Sequence, residues 1–402
     1  MTVVTICGEK FSSNLGDGAI ADCLEWLIRS VRPDIDVRTL DMSRKSEFSA
    51  KPSAMPAAGK PFSPVRRMLP GFLRRGIREA QWAHGHGPLL EQHSEPILSG
   101  SDALIIGGGQ LLMDNNLRFP MKIRSVTAAA ARAGVVQSAC FGVGVGGKWS
   151  NRGKQILLEA LGRPALASLV VRDESSAATI RKEFGTLADR CDVAGDPALF
   201  CMDVYADAGS NTNDGLIGLG VLGMRLLAGY VDDPRASDRS EIVAFWLAVI
   251  DEISAAGHRA ELFTNGDEHD HVFAEHIAQA NRDRGGPEVR VAPRPTTPAG
   301  LVSQIGCYSG TIAYRLHSSI IAYSLRIPGT LLTWDKKVRH FAEMTGRPGH
   351  AFPGIGANPG EVVRLTLDAM REGLDETVWN ATREQVRSSL ARLLDQLVGA
   401  AR

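Results

Sequence analysis

The sequence predicts an α/β protein of two Rossmann-like domains facing a central cleft, and three observations support that reading. Its 402 residues exceed what one core usually serves, since single hydrophobic cores stop growing at roughly 250–300 residues. Short apolar runs alternate with longer amphipathic stretches along the chain, as in βα units that feed parallel sheets buried on both faces. A polar break from Asp203 to Asp214 interrupts the alternation near the middle, as a domain boundary does. The expected organisation is an N-terminal domain over 1–206, a C-terminal domain over 214–375, and a last helix over 376–402 that crosses between them.

Strand candidates in the first half are Val3 to Cys7, Ile35 to Leu40, Ala103 to Ile106, Val135 to Phe141 and Leu169 to Val171, with helices between them. Ser43 to Pro64, rich in Ser, Ala, Pro and Lys, reads as a mobile surface loop. The second half opens with a strand at Leu216 to Leu222, followed by a helix around Ile242 to Ala256, a strand at Ala260 to Phe263 and a helix around Val272 to Asn281. Helices near Pro298 and Leu316 and a strand at Gly329 to Thr333 follow. In the last helix Val386, Leu390, Leu393 and Leu397 recur at four and three residues, which puts them on one apolar stripe.

Charge is balanced, with 45 Lys and Arg against 45 Asp and Glu, so no global basic field recruits nucleic acid. No apolar run is long enough to span a bilayer, and Met1 to Gly8 lacks a basic leader and a cleavage site, so a cytoplasmic protein is expected. Cys7, Cys23, Cys140, Cys191, Cys201 and Cys307 have no short-spaced pair and read as reduced core residues. Val65 to Glu79 combines Arg66, Arg67, Arg74, Arg75 and Arg78 with apolar side chains, a basic amphipathic segment suited to peripheral contact with an anionic membrane. A helix packed on its own domain fits the same pattern.

In open α/β sheets ligands bind at the carboxyl ends of strands, so strand-end loops hold the candidate site. After the first strand come Asn14, Gly16 and Asp17 at a helix start, where backbone amides hold anions and hydroxyls. Gly107, Gly108 and Gly109, with Asp114 beyond, follow a buried strand; such glycines admit a ligand or relieve a crowded turn. Phe141-Gly-Val-Gly resembles a dinucleotide fingerprint only superficially, because Lys148 to Gly153 extends the loop and the next strand ends in Arg172 rather than an acid. Arg172, Ser175 and Asp196 lie in further strand-end turns, either salt-bridged or ligand-facing. In the second half Arg225, then Arg315 and His317, then Lys336 and Lys337 lie at strand ends or helix starts, a set suited to a small, multiply charged anion. The run Asp267 to His271 reads as a solvated, capped helix start, and neither it nor His84, His86 and His93 has metal-site spacing.

Asn14-x-Gly16-Asp17, the triple glycine with Asp114, Phe141-Gly-Val-Gly, Val171-Arg-Asp-x-Ser175, Gly195-Asp-Pro, Arg315-Leu-His317 and Trp334-Asp-x-Lys337 occur in an order that resembles the polysaccharide pyruvyltransferase family from about residue 5 to 345. The resemblance implies a glycosyltransferase-B-like pair of domains and transfer of pyruvate from phosphoenolpyruvate to saccharide hydroxyls, often as a cyclic ketal. It also implies a donor site at Arg315-Leu-His317. Because phosphoenolpyruvate carries a phosphate and a carboxylate on one small frame, Arg225 and Arg315 are expected to grip these groups, Lys336 or Lys337 to neutralise charge, and His317 to act as acid. Asp17 is the candidate base on the facing domain. The expected acceptor is a saccharide, free or lipid-linked, and no cofactor is expected, a divalent metal being compatible but not required. Two departures, the long Ser43 to His93 stretch and Gln110 where a fourth glycine is often found, concern the acceptor side. The competing readings are a nucleotide-sugar glycosyltransferase of the same fold and a catalytically silent binding protein.

Overall fold

A computed structural model describes residues 2–48, 71–206, 215–223, 238–333, 336–354 and 356–399, without the side chains of 71–74, 336 and 399. Contacts divide the chain into two compact units. The first comprises 1–12, 20–197 and 385–402, and the second comprises 13–19 and 198–384.

The first unit is built on strands β1 (Thr2–Gly8), β2 (Ile35–Asp41), β3 (Ala103–Gly107), β4 (Gln137–Val143), β5 (Ala165–Val171) and β6 (Cys191–Val193). They form one sheet in the order β2-β1-β3-β4-β5-β6, and every adjacent pair is parallel. The central strand β3 reads Ala-Leu-Ile-Ile-Gly and is buried at all five positions, as a sheet covered on both faces requires. The strand order reverses direction between β1 and β3, which makes their carboxyl ends the switch point of this sheet. Helices α1 (Leu15–Val31), α2 (Gly71–Gln81), α3 (Gly87–Leu98), α4 (Arg118–Arg132), α5 (Asn151–Ala160) and α6 (Glu174–Glu183) follow the strands or their loops. Ser150 caps α5 by accepting the Gly153 N–H, and Asp173 caps α6 by accepting the Ser176 N–H, which satisfies donors a helix start leaves open.

The second unit carries β7 (Leu216–Gly220), β8 (Arg259–Phe263), β9 (Val289–Val291), β10 (Gly310–Ala313), β11 (Gly329–Thr333) and β12 (Ala351–Pro353). Their order is β12-β11-β10-β7-β8-β9, again all parallel. The chain builds outward through β8 and β9, then returns to lay β10 on the other side of β7. The switch point therefore falls between β7 and β10. A short turn α7 (Cys201–Val204) opens the unit, and helices α8 (Arg239–Ala255), α9 (Glu268–Asp283), α10 (Pro298–Gly306), α11 (Leu316–Ser324), α12 (Lys336–Met344) and α13 (Pro359–Glu372) complete it. Trp246 and Tyr314 are fully buried in its core and meet edge to face with ring centroids 5.7 Å apart.

The last helix, α14 (Glu376–Gly399), begins in the second unit and passes to the first after Glu384. Val386, Leu390, Leu393 and Leu397 are each at most 2% exposed, so the apolar stripe is a core face. Among the described residues no helix is long and apolar enough to cross a membrane, and the described cysteines are all free thiols. Residues 49–64 of the expected loop, 207–214 of the polar break and 65–70 of the basic amphipathic segment lie outside the described residues.

Candidate active site

Strand β10 delivers Arg315 and His317 to the carboxyl end of the second sheet. Arg315 is the N-cap residue of α11, in extended backbone geometry, and His317 sits in the first turn. Both therefore lie at the end of the helix where unpaired N–H groups and the dipole favour an anion. Their position at the switch point is a consequence of topology, because β10 is the strand that pairs with β7 there.

Asp270, on the first turn of α9, holds the Arg315 side chain. Its Oδ2 accepts the Arg315 Nε–H at 2.7 Å and a second guanidinium N–H, while Oδ1 accepts the backbone N–H of Gly223 at 2.8 Å. Asp270 is 1% exposed, and burial pushes its carboxyl above the usual carboxylate range against the opposing pull of Arg315. The acidic run was expected to be solvated. Asp267 does cap α9, accepting the His269 N–H at 3.0 Å, but three residues on, the helix turns Asp270 inward. One carboxylate thus fixes the arginine through two of its nitrogens, and Nη1 makes no hydrogen bond to any described residue. The Arg315 side chain keeps 13% of its surface exposed.

His317 is surrounded by the segment 13–19, which clusters with this unit although the sequence reading assigned it to the N-terminal domain. The segment is fastened to the loop after β8. Ser13 Oγ donates to Asp267 Oδ2 at 3.0 Å, and the Leu15 N–H donates to the Asn265 carbonyl at 2.9 Å. Asn14 Nδ2 then lies 3.3 Å and Asp17 Oδ1 3.7 Å from His317 Nδ1. A Cβ on Gly16 would come within 2.4 Å of the His317 Cβ, so only glycine allows the ring to approach the start of α1. Asp17, expected as a base on the facing domain, clusters with the second unit beside His317. His317 is 11% exposed at its side chain.

Other expected donor contacts are only partly visible. Arg225 lies outside the described residues, as does the Lys336 side chain. Lys337 is half-buried in the first turn of α12.

The expected residues of the first unit have structural employment. A Cβ on Gly107 would meet the Leu24 side chain at 2.3 Å, and one on Gly108 would meet Ile20 at 2.0 Å; these glycines let α1 pack on the end of β3. Gly109 lies beside them at positive φ, +70°, and its carbonyl accepts the Gly144 N–H at 2.8 Å. Asp114 pins its own loop, accepting the N–H groups of Leu117 at 2.6 Å and Ser150 at 2.7 Å. Arg172 is 4% exposed and lies between Asp173, 3.3 Å away, and Asp196, 3.4 Å away. Ser175 is half-buried in the first turn of α6, its carbonyl accepting the Thr179 hydroxyl.

The sequence reading missed Asp270, Asn265 and Ser318. Asn265, fully buried after β8, could have been found by the same strand-end criterion that selected the glycine loops. Asp270 carried a weaker signal, its spacing of three from the Asp267 cap.

A model of the polysaccharide pyruvyl transferase family matches residues 14–336. No curated protein matches the sequence. Among solved structures, the α,α-trehalose 6-phosphate synthase of Burkholderia multivorans is similar, with a TM-score of 0.53 at 11% identity over 100% of this chain and 98% of that one. The UDP-GlcNAc 2-epimerase of Neisseria meningitidis, solved bound to UDP-GlcNAc, gives a TM-score of 0.52 at 10% identity over 97% of this chain and 100% of that one. At these identities the likeness is one of fold.

Proposed function

The chain belongs to the polysaccharide pyruvyl transferase family, and from that premise we propose that it moves pyruvate from phosphoenolpyruvate to two hydroxyls of a saccharide, closing a ketal and releasing phosphate. The observation that carries this reading is the convergence of Arg315 and His317 on the N-terminus of α11 at the switch point of the second sheet. Phosphoenolpyruvate has a carboxylate and a phosphate on one small frame, so its site needs cations, helix amides and a proton donor within a few ångströms of one another.

In the proposed sequence Arg315, held rigid by Asp270, grips one anionic group of the donor. Arg225 and Lys336 or Lys337 neutralise the other. His317 delivers a proton to the methylene carbon, and the C2 carbon becomes electrophilic. An acceptor hydroxyl adds to C2, and its proton returns to the imidazole. A second hydroxyl then attacks C2, the C2–O bond to phosphate breaks, and phosphate leaves with the remaining proton. Asp17 stabilises the imidazolium. The scheme balances without an oxidant, reductant or organic cofactor. The acceptor class includes lipid-linked saccharides, and the use of phosphoenolpyruvate suits a cytoplasmic enzyme.

The test is phosphate release from phosphoenolpyruvate in the presence of candidate saccharides, with mass spectrometry of the acceptor. His317→Ala is expected to lower kcat by about 10²–10⁴-fold, the usual worth of a general acid, with an unchanged thermal unfolding midpoint. Wild-type turnover in that variant would remove the histidine from the chemistry. Consumption of a nucleotide sugar with no phosphoenolpyruvate-dependent phosphate release would replace the reading with glycosyl transfer.

A further inference from the structure

Behind His317 runs a line of hydrogen bonds contained in the second unit. The Ser318 hydroxyl donates to Asn265 Oδ1 at 2.5 Å, Asn265 Nδ2 donates to Asn14 Oδ1 at 3.3 Å, and Asn14 Nδ2 lies 3.3 Å from His317 Nδ1. Asn265 and Ser318 are each 0% exposed, so neither can trade these partners for bulk water without a cost of about 1–3 kcal/mol.

The contact at Ser318 sets the direction of the line, its hydroxyl donating to the Asn265 oxygen. An amide NH2 only donates and an amide oxygen only accepts. With Asn265 Oδ1 occupied by the Ser318 hydroxyl, the Asn265 NH2 faces Asn14. Asn14 must then present its oxygen to Asn265 and its own NH2 to His317. A ring nitrogen that faces an NH2 group has to accept, and a neutral imidazole that accepts at Nδ1 carries its proton at Nε2. We infer that Asn265 and Asn14 are positioning residues that hold neutral His317 as its Nε2–H tautomer. The tautomer follows from these contacts whatever reaction the protein performs. The catalytic consequence rests on the function proposed above: the neutral ring holds its one proton at Nε2 and becomes the acid only after Nδ1 takes a second one, because giving up the Nε2 proton first would leave an imidazolate. The Asp17 carboxylate, 3.7 Å from Nδ1, lies on the side where that second proton is taken.

Long-range proton–nitrogen correlation spectra of the full-length protein, labelled with 15N in its histidine rings, report the tautomer directly. His317→Gln identifies the resonance. At a pH where the ring is neutral, the wild type is expected to show an unprotonated Nδ1 and a protonated Nε2. In Asn265→Asp the new carboxylate cannot donate, so Asn14 turns its NH2 toward it and offers its oxygen to His317. The pattern should invert to Nδ1–H. Asn14→Asp, at a half-buried position, places a carboxylate oxygen directly against Nδ1 and should give the same inversion if a buried aspartate at 265 prevents folding. A wild-type ring protonated at Nδ1, or folded variants that both keep the wild-type pattern, would overturn the inference. Phosphate release separates it from the proposed function. His317→Gln, which removes the ring, is expected to lower kcat by about 10²–10⁴-fold with little change in KM, whichever tautomer the wild type shows. Wild-type phosphate release in that variant would keep the network as described and remove His317 as the acid.

Discussion

Arg172 and Arg315 look alike in the sequence, each an arginine just after a predicted strand, and the fold uses them differently. Arg172 is 4% exposed between two carboxylates, Asp173 and Asp196. Among the described residues Arg315, 13% exposed, pairs with one carboxylate, Asp270, which leaves guanidinium hydrogen-bonding capacity at a helix N-terminus. An arginine at a strand end recruits an anion when the protein has not already surrounded it with acids. Counting the carboxylates around it separates a fold-holding arginine from a ligand-binding one better than its place on the strand does.

The largest expected effect that tests this contrast is on stability. Arg172→Ala removes the cation between the buried Asp173 and Asp196 and is expected to cost about 3–5 kcal/mol, read as a lower denaturation midpoint, while kcat per folded molecule stays at the wild-type value. An unchanged midpoint with a raised KM for phosphoenolpyruvate would turn Arg172 into a ligand contact and erase the distinction. The second effect is on binding. Arg315→Ala combined with Asp270→Asn, so that no buried carboxylate is orphaned, should raise the KM for phosphoenolpyruvate by about 10- to 150-fold, the worth of 1.5–3 kcal/mol in charged hydrogen bonds.

The smallest effect sharpens the comparison through two glycines. A Cβ on Gly16 would lie 2.4 Å from the His317 Cβ, and one on Gly144 would lie 2.8 Å from an Arg172 guanidinium nitrogen. Each alanine variant should cost about 1–3 kcal/mol from overpacking, but in different measurements. Gly16→Ala displaces the imidazole and should lower kcat, whereas Gly144→Ala should lower the unfolding midpoint and leave kcat alone. Equal effects on kcat would mean that the two surroundings do not differ in kind.

The fold was legible wherever a strand is a continuous apolar run, as at Ala103 to Ile106 or Leu169 to Val171. It was least legible at β10, whose four residues Gly-Thr-Ile-Ala hold too little apolar character to stand out, although this strand sets the position of Arg315 and His317. Its identity depends on β7 and β11 on either side, a long-range fact. The histidine and arginine were singled out because their residue types are chemically conspicuous at a helix start. Asn265 and Ser318 were not, because a buried asparagine or serine acquires meaning only from the partner opposite it. The placement of 13–19 beside His317 was equally hidden, since local pattern assigns those residues to the strand they follow.

That placement governs when the site can exist. Asn14 and His317 are separated by 303 positions in the chain, so during synthesis one side of the histidine's surroundings emerges among the first residues and the other only near the end. Domains tend to fold as they leave the ribosome, amino-terminal first. Here the strand and helix flanking Asn14 can take shape early, yet the second unit stays incomplete until β10 and α11 have been made. A fragment of the carboxyl-terminal half, started at residue 198, would lack Asn14, Gly16 and Asp17 and would hold a histidine without the neighbours that orient it. The surroundings of His317 are therefore complete only once both segments have been made, and they are not divisible at the expected domain boundary.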